Sequence, residues 1–260
     1  MKIVKMLALL PALVLVACSD STTGSVSFAL TARRAALQPA AAPFSAAVVA
    51  ASVTAGGDST VVALGNDTVI VRSVELVLKQ IELKRADVAA CDAVAGNGDC
   101  DEFETGPTLV TLPLGSTAVA QQVTVSAPPG LYDGLEFQIH KPGSSDDAAF
   151  IAAHPDFANI SIRVTGTYSL AGSRSDFTFT SDVDQGQEAS LVPPVSVQEG
   201  QSLNVTLRAD IATWFLNGAK TALVSPASAN KGQPNESIVA NNIQNSFKAF
   251  EDDDRDGLEN

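Results

Sequence analysis

The 260-residue sequence predicts a mainly β protein, an antiparallel β-sandwich with an amphipathic helix near its C-terminus. Three observations lead to this fold class. Short segments rich in β-branched residues alternate apolar and polar side chains, which is the two-residue period of a half-buried strand. Turn signals separate them at close spacing, among them Pro128-Pro129-Gly130, Pro142-Gly143 and Glu199-Gly200. Few helical patterns intervene, which favours antiparallel sheets packed face to face.

The chain begins with the pattern of a lipoprotein signal peptide over residues 1–17. Lys2 and Lys5 form a basic region, and the apolar run over residues 6–17 is too short to span a bilayer as a mature helix. Because small residues come directly before Cys18, we expect the Cys18 thiol to be lipidated and the preceding peptide to be removed. The alternative is an ordinary signal peptide followed by a chance cysteine.

A lipid anchor predicts that the membrane is a partner of this protein. Several acyl chains hold a protein firmly, since each buried methylene contributes about 0.8 kcal/mol. Ser19 follows the lipidated residue, in place of the Asp that retains some lipoproteins in the inner membrane, so we expect the outer membrane. The small polar residues over 18–24 predict a tether. The face of the membrane on which the protein lies stays open.

Residues 25–216 form the predicted sandwich domain, with an Ala-rich, Pro- and Gly-containing insertion over 35–58 that we expect to be irregular. Strand patterns begin at Ser25 and become dense from Thr60. The predicted strands cover residues 25–31, 67–85, 108–114, 119–126, 131–140, 160–170, 177–181, 189–197 and 202–210.

The longest strand pattern, residues 67–85, changes phase twice. Val69 and Val71 share one phase, the next begins at Val74, and a third begins at Ile81. Each change predicts a bulge or bend, because a slip of one residue turns every following side chain to the other face. A helix is the alternative, but the β-branched residues favour a strand.

Helical patterns are few. Residues 147–154 predict one short helix before Pro155, and residues 211–216 predict a turn that carries Trp214 into the core. The C-terminal part, 217–260, is predicted as a loop, a helix and an acidic tail. The helix is expected over 235–250, capped by Asn235. Its apolar face consists of Val239, Ile243, Phe247 and Phe250.

Cys91 and Cys100 form an even pair in a chain that we expect to be exported, which predicts a disulfide across a Gly/Asn/Asp-rich loop. A zinc site is the alternative, but it would need two further ligands. The two histidines, His140 and His154, lie far along the sequence.

The formal net charge of −13 excludes nucleic acid and anionic headgroups as partners. Acidity of this kind usually keeps a protein soluble; the alternative is cation binding. Asp252, Asp254 and Asp256, followed by Gly257, match the first half of a calcium loop, although its twelfth position falls beyond Asn260. A solvated acidic tail and a weak calcium site therefore both stay open. These acidic residues directly follow the predicted helix, and negative charge is unfavourable at a helix C-terminus, which slightly favours the binding of a cation there.

No catalytic signature stands out, so we expect no enzymatic activity and no cofactor apart from such calcium. The sequence lacks a Gly-x-Ser-x-Gly elbow, and we expect both histidines to be exposed or at a strand edge. Asp133, Glu136, Asp146 and Asp147 could converge as a carboxylate pair, but nothing in their spacing requires it.

Four stretches resemble a family of bacterial lipoproteins whose domain has no assigned function. They are VIVRSVELVLKQIELKR (69–85), ETGPTLVTLPL (104–114), GLYDGLEFQIHK (130–141) and NKGQPNESIVANNIQNSFKAFEDDDRDG (230–257). The resemblance extends from about Asp67 to Gly257. It implies an immunoglobulin-like or transthyretin-like β-sandwich on a lipid anchor, and it carries no active-site residues.

The sequence as a whole predicts a lipid-anchored extracytoplasmic protein with a non-catalytic binding or scaffolding role at the envelope, towards an unknown ligand or protein partner. One alternative is a carbohydrate-binding or adhesive module, which predicts an exposed aromatic strip on one sheet. The other is a carboxylate-based hydrolase, which predicts a pocket that gathers at least two of four residues. These residues are Asp133, Glu136, His140 and Asp146.

Overall fold

The computed structural model describes residues 23–32, 52–56, 59–86, 106–114, 119–143, 145 and 147–259. The predicted signal peptide and lipidation residue Cys18, most of the Ala-rich insertion, both cysteines of the predicted disulfide (Cys91 and Cys100) and Asp146 lie outside these ranges. The described part of the insertion, residues 52–56, forms a strand, so the expectation that the insertion is irregular is wrong there. Within them, no helix has both the length and the apolar character that a membrane crossing requires.

The described chain is mainly β and forms two sheets, which confirms the predicted β-sandwich. Two α-helices accompany the strands, α1 (Ala148–Ala153) and α2 (Glu236–Gln244). The strands are β1 (Gly24–Thr31), β2 (Ser52–Gly56), β3 (Ser59–Leu64), β4 (Asp67–Arg85), β5 (Thr108–Thr111), β6 (Ala120–Ala127), β7 (Gly130–Ile139), β8 (Ile162–Leu170), β9 (Ser173–Ser181), β10 (Gln185–Val197), β11 (Ser202–Ala209) and β12 (Phe247–Glu251).

The smaller sheet has the strand order β12-β11-β1-β6. Its outer pairs are antiparallel, but β1 and β11 run parallel, from Ser25 opposite Ser202 to Thr31 opposite Arg208. Strand alternation shows which face a side chain takes but not which strand lies beside it, so it could not predict this pair. Parallel neighbours also require a long crossover connection. Here the crossover contains the whole larger sheet.

The larger sheet is organised around β4, which is long enough to have two neighbours on each edge. β8 and then β7 pair along one edge, while β3 and then β5 pair along the other. Register shifts fall between Val71 and Ser73 and between Lys79 and Glu82, with a third beside Arg85. The first two coincide with the predicted phase changes and keep the apolar side chains of all three segments in the core.

A short helical segment covers part of the outer face of the larger sheet. We call residues 147–160 the outer-face cap; they contain α1 and a 3₁₀ turn over Pro155–Phe157. Phe150 and Phe157 pack on Val77, which is fully buried although it points away from the main core. The cap explains why β4 has three buried residues in succession, Leu76 to Leu78, where the sequence also fitted a helix.

The predicted C-terminal helix over 235–250 is wrong in its second half. α2 ends at Gln244, and Phe247 and Phe250 belong to β12, which pairs with β11. Val239 and Ile243 alone form the buried stripe of the helix. The sandwich therefore extends past the predicted boundary at residue 216, and the acidic residues follow a strand, so the helix-dipole argument does not apply to them.

Asn235 occupies the N-cap position of α2 as predicted, but its side chain makes no capping hydrogen bond. It donates to the Ser228 hydroxyl instead, at 2.9 Å. Trp214 lies in the core as predicted; it is fully buried and donates its indole N–H to the Ser246 hydroxyl at 2.8 Å.

Candidate functional site

Residues 252–257, which we call the aspartate loop, follow β12 directly and are fastened to the smaller sheet. The side chain of Asp252 is fully buried. Its Oδ2 accepts hydrogen bonds from the Thr206 hydroxyl at 2.7 Å and from the Gly257 N–H at 3.0 Å, and its Oδ1 accepts one from the Asp256 N–H at 3.0 Å. These hydrogen bonds tie the start of the loop to β11 and to the loop's own backbone.

The local sequence explains how this loop turns back on itself. Arg255 and Gly257 both have positive φ, of 56° and 78°. At Gly257 the conformation favours glycine, and an added β-carbon would also lie 3.1 Å from the Thr31 hydroxyl oxygen and from a Val119 methyl. Asp256 closes the turn, since its Oδ1 accepts from the Leu258 N–H at 2.7 Å.

Asn204 of β11 holds the other side of the loop. Its carbonyl accepts from the Asp252 N–H at 3.0 Å, and its side-chain oxygen accepts from the Arg255 Nε at 2.8 Å. The fold positions the loop through backbone and side-chain contacts to β11 together with packing on the end of β1.

The loop brings together the three carboxylates that the sequence singled out. One oxygen from each of Asp252, Asp254 and Asp256 lies within 4.8 Å of the other two, and no other group of three potential ligands was found among the described residues. Calcium–oxygen distances are about 2.3–2.6 Å, so two ligands of one ion can be about 5 Å apart. The spacing therefore fits a single hard cation.

The local electrostatics also favour a cation. Burial, with the negative charge of Asp253, raises the pKa of the Glu251 carboxyl above its ordinary value. The described part of the chain thus collects five carboxylates within six residues, one of them fully buried. A divalent ion would relieve this repulsion, since opposite charge nearby stabilises the ionised form.

Comparisons with known proteins add no relative. No protein family, curated protein or solved structure matches the chain.

A cleft of about 300 Å³ lies beside the aspartate loop, between the edge strands β10 and β12. Its walls combine polar and apolar side chains, and Glu259 reaches it from the end of the loop. The other principal lining residues are Glu188, Ser190, Val192, Phe247 and Lys248.

The residues proposed for a hydrolase are not gathered in this cleft. Asp133 is exposed at an irregularity of β7, and Glu136 is paired with Lys84 on the outer face. His140 lies four residues beyond Glu136 on the same face, about 13 Å away along an extended strand. Asp146 lies outside the described residues. Two glutamates that the sequence did not single out lie directly opposite Glu136, Glu82 on β4 and Glu188 on β10.

His140, which we expected to be exposed or at a strand edge, is instead buried at the end of β7, an inner strand of the larger sheet. The outer-face cap buries it to 8% exposure, and its Nε2 lies 2.8 Å from Asp147 Oδ2. Burial alone would raise the pKa of Asp147, but hydrogen bonds from the Gly143 N–H and His140, with the charges of His140 and Lys79, lower it below its ordinary value. His154 is half-buried, with its ring 4.9 Å from that of Phe150.

Sequence reasoning missed the His140–Asp147 pair because the two residues belong to different elements. Alternation along β7 does place His140 outward, since Phe137 and Ile139 point into the core. Only the folding of the cap over that face brings Asp147 within hydrogen-bonding distance, and no spacing rule for a strand and the following helix predicts this contact.

The aromatic strip expected of a carbohydrate-binding module is not seen on the described surfaces. There, the large apolar residues that are exposed are Leu131 and Val192, neither of which is aromatic. The phenylalanines pack internally instead, as in the edge-to-face contact between Phe179 and Phe215 at 5.4 Å.

Proposed function

We propose that this protein is a lipid-anchored, extracytoplasmic β-sandwich with a non-catalytic binding or scaffolding role at the outer membrane, and that its aspartate loop binds calcium. The convergence of three carboxylates in a fixed loop carries the calcium part of the proposal. The basic and apolar residues before Cys18 support the anchor. The resemblance of residues 67–257 to a lipoprotein family implies a β-sandwich on a lipid anchor, in agreement with this proposal.

The calcium affinity that we expect is low. Asp252, Asp254 and Asp256 supply three oxygen ligands, whereas calcium takes six to eight. Water, backbone carbonyls or acidic residues elsewhere in the chain must supply the rest, and Asp252 Oδ2 already accepts two hydrogen bonds. A site of this kind falls in the range of about 10⁻⁴ to 10⁻³ M that extracellular modules show.

Thermal unfolding tests the calcium site directly. At ten times the dissociation constant, binding to the folded state alone stabilises it by about 1.4 kcal/mol. The melting temperature should therefore rise with calcium chloride and should not rise with sodium chloride of equal ionic strength. A double substitution, Asp254→Asn with Asp256→Asn, should abolish this rise while leaving the buried Asp252 in place.

The neighbouring exposed residue provides a matched control. Asp253→Asn removes one negative charge from the same loop but does not belong to the convergent trio. It should keep most of the calcium response. If the double variant responds to calcium as the wild type does, or if all three respond equally to sodium, the loop binds no specific cation.

The lipid anchor is tested in cells. Metabolic labelling with a fatty-acid analogue should tag the wild-type protein in the outer-membrane fraction. Cys18→Ser should lose the label and leave an unprocessed or soluble form, because serine lacks the thiol that accepts the lipid. Cys91→Ser serves as the control, since it removes a cysteine that we do not expect to be acylated. Equal labelling of wild type and Cys18→Ser would refute the anchor.

A further inference from the structure

The outer-face cap is fastened to the larger sheet by one charged contact beside a small apolar cluster. Asp147 begins the cap, and its carboxylate is 4% exposed. Its Oδ2 accepts from the Gly143 N–H at 2.7 Å and contacts His140 Nε2, while its Oδ1 lies 3.9 Å from Lys79 Nζ. The apolar part is Phe150 and Phe157 on Val77, with Leu109, Ile151 and Ile160 at its border.

His140 has a carboxylate at each ring nitrogen. Nε2 faces Asp147 at 2.8 Å, and Nδ1 faces Asp184 Oδ1 at 3.5 Å, a separation longer than most hydrogen bonds. Gln138 holds Asp184 in this position by donating to the same oxygen at 2.8 Å. Three elements therefore meet at one imidazole: the end of β7, the start of the cap and the residue before β10.

This geometry suits the protonated ring. A neutral imidazole carries a proton on one nitrogen and a lone pair on the other. With the proton on Nε2, the lone pair of Nδ1 points towards Asp184; with the proton on Nδ1, the lone pair of Nε2 points towards Asp147 at hydrogen-bonding distance. Only imidazolium presents a donor to both carboxylates, and hydrogen bonds between charged groups are the stronger ones.

We infer that His140 acts as a proton-dependent clip, which holds the outer-face cap against the larger sheet most tightly while the imidazole is charged, because the neutral ring keeps only an Nε2–H hydrogen bond to Asp147 and loses the charge that strengthens it. The inference goes beyond the proposed function and does not depend on calcium or on the lipid anchor. Imidazole is the side chain that ordinarily changes charge between pH 5 and 8, which makes this the interval over which the clip is tested.

Other charged groups near the clip are already paired with one another. Lys141 and Lys231 both contact Asp182. On the far side of the cap, Arg163 makes a two-pronged contact with Glu75 and stacks over the Phe157 ring at 4.5 Å. Lys79 faces Asp147, with its Nζ 3.9 Å from Asp147 Oδ1. Among the described residues, the charged groups in contact with the His140 ring are the carboxylates of Asp147 and Asp184.

Loosening of the cap would uncover an apolar surface on an otherwise polar sheet face. Val77 is fully buried by the cap, Phe157 is 1% exposed and Phe150 is 9% exposed. The main core does not depend on these contacts, because Val77 and the two rings form a separate cluster. The cap can therefore open while the sandwich stays folded.

Hydrogen exchange measured by mass spectrometry tests the clip in the whole folded protein. Amide protection of peptides covering residues 147–160 is measured from pH 5 to pH 8 and corrected for the intrinsic exchange rate at each pH. Protection in the wild type should fall by about fivefold to tenfold across this range, since a charge-assisted hydrogen bond is roughly twice as strong as a neutral one. Protection in β8 and β9 should stay constant.

Three variants separate the clip from a merely structural role. His140→Gln removes the titrating ring and should make cap protection independent of pH. Asp184→Asn removes the half-exposed carboxylate at Nδ1 and should weaken the pH dependence without unfolding the protein. His154→Gln is the matched control, because His154 is the other histidine of the sequence and lies within the cap. This variant should retain the wild-type response.

Two results would overturn the inference. Constant cap protection in the wild type between pH 5 and 8 would show that His140 does not govern docking. A pH dependence that persists in His140→Gln but disappears in His154→Gln would assign the effect to the other histidine.

Discussion

Replacing Asp252 with alanine should destabilise the protein strongly even without metal. The carboxylate is fully buried and accepts three hydrogen bonds, from the Thr206 hydroxyl and the Asp256 and Gly257 N–H groups. Alanine would leave the Thr206 hydroxyl and the Gly257 N–H, both buried, without this acceptor. An unsatisfied buried polar group costs about 1–3 kcal/mol, so we expect a loss of about 3 kcal/mol.

Urea and thermal unfolding in the presence of a chelator measure this loss. For a chain of this size, 1 kcal/mol shifts the melting temperature by about 2–4 °C, so a fall of about 6–12 °C is expected. Asp253→Ala is the matched control at the next position. Its side chain is exposed, and a surface substitution usually changes stability by less than about 0.5 kcal/mol.

A second variant checks the physical reason for the loss. Thr206→Val removes the donor to Asp252 while keeping the side-chain shape, and it should cost less than Asp252→Ala because the carboxylate keeps its two backbone donors. If Asp252→Ala and Asp253→Ala have equal stability in chelator, the loop contributes nothing to folding, and the description of Asp252 as a structural anchor of residues 252–257 is refuted.

Three further outcomes are expected. Gly166→Ala should destabilise the protein by about 2–3 kcal/mol in urea unfolding, because a β-carbon there would lie 2.0 Å from the Ile70 carbonyl oxygen. Gly186→Ala is the control and should be nearly neutral, because a β-carbon there would meet open space. The pKa of Asp147 is lowered in the folded protein, so its ionised carboxylate should stabilise the protein above the ordinary pKa of 3.8 and lose this effect as the pH falls through the lowered value. Unfolding measured from pH 2 to 7 should therefore show that Asp147→Asn is less stable than the wild type by about 2 kcal/mol at neutral pH. This difference should vanish in acid. Mass spectrometry of protein taken from the envelope should find Cys91 bridged to Cys100, and the fold should survive reduction; two free thiols would contradict the bridge.

The calcium and pH proposals concern opposite parts of the sandwich and can fail independently. The aspartate loop is attached to β11 and β1 of the smaller sheet, through Asn204, Thr206 and the packing of Gly257 on Thr31. The clip lies on the outer face of the larger sheet. A calcium-dependent change in cap protection would therefore indicate coupling between the sheets, which neither proposal requires.

The sequence alone determined the fold class and the irregularities of β4. Alternation fixes which side chains face the core, because successive strand residues point to opposite faces. The phase changes at Val74 and Ile81 therefore had to appear as register shifts, and they do. The three carboxylates of the aspartate loop were also predictable, since close spacing along the chain limits how far apart Asp252 and Asp256 can lie.

Tertiary structure decided the features that depend on residues far apart in the chain. Phe247 and Phe250 fit a helical face as well as they fit a strand, and only the free edge of β11 made pairing more favourable than continuation of α2. The parallel pairing of β1 with β11 has the same origin. Each depends on a contact between distant segments, and local periodicity carries no information about which distant surface a residue will meet.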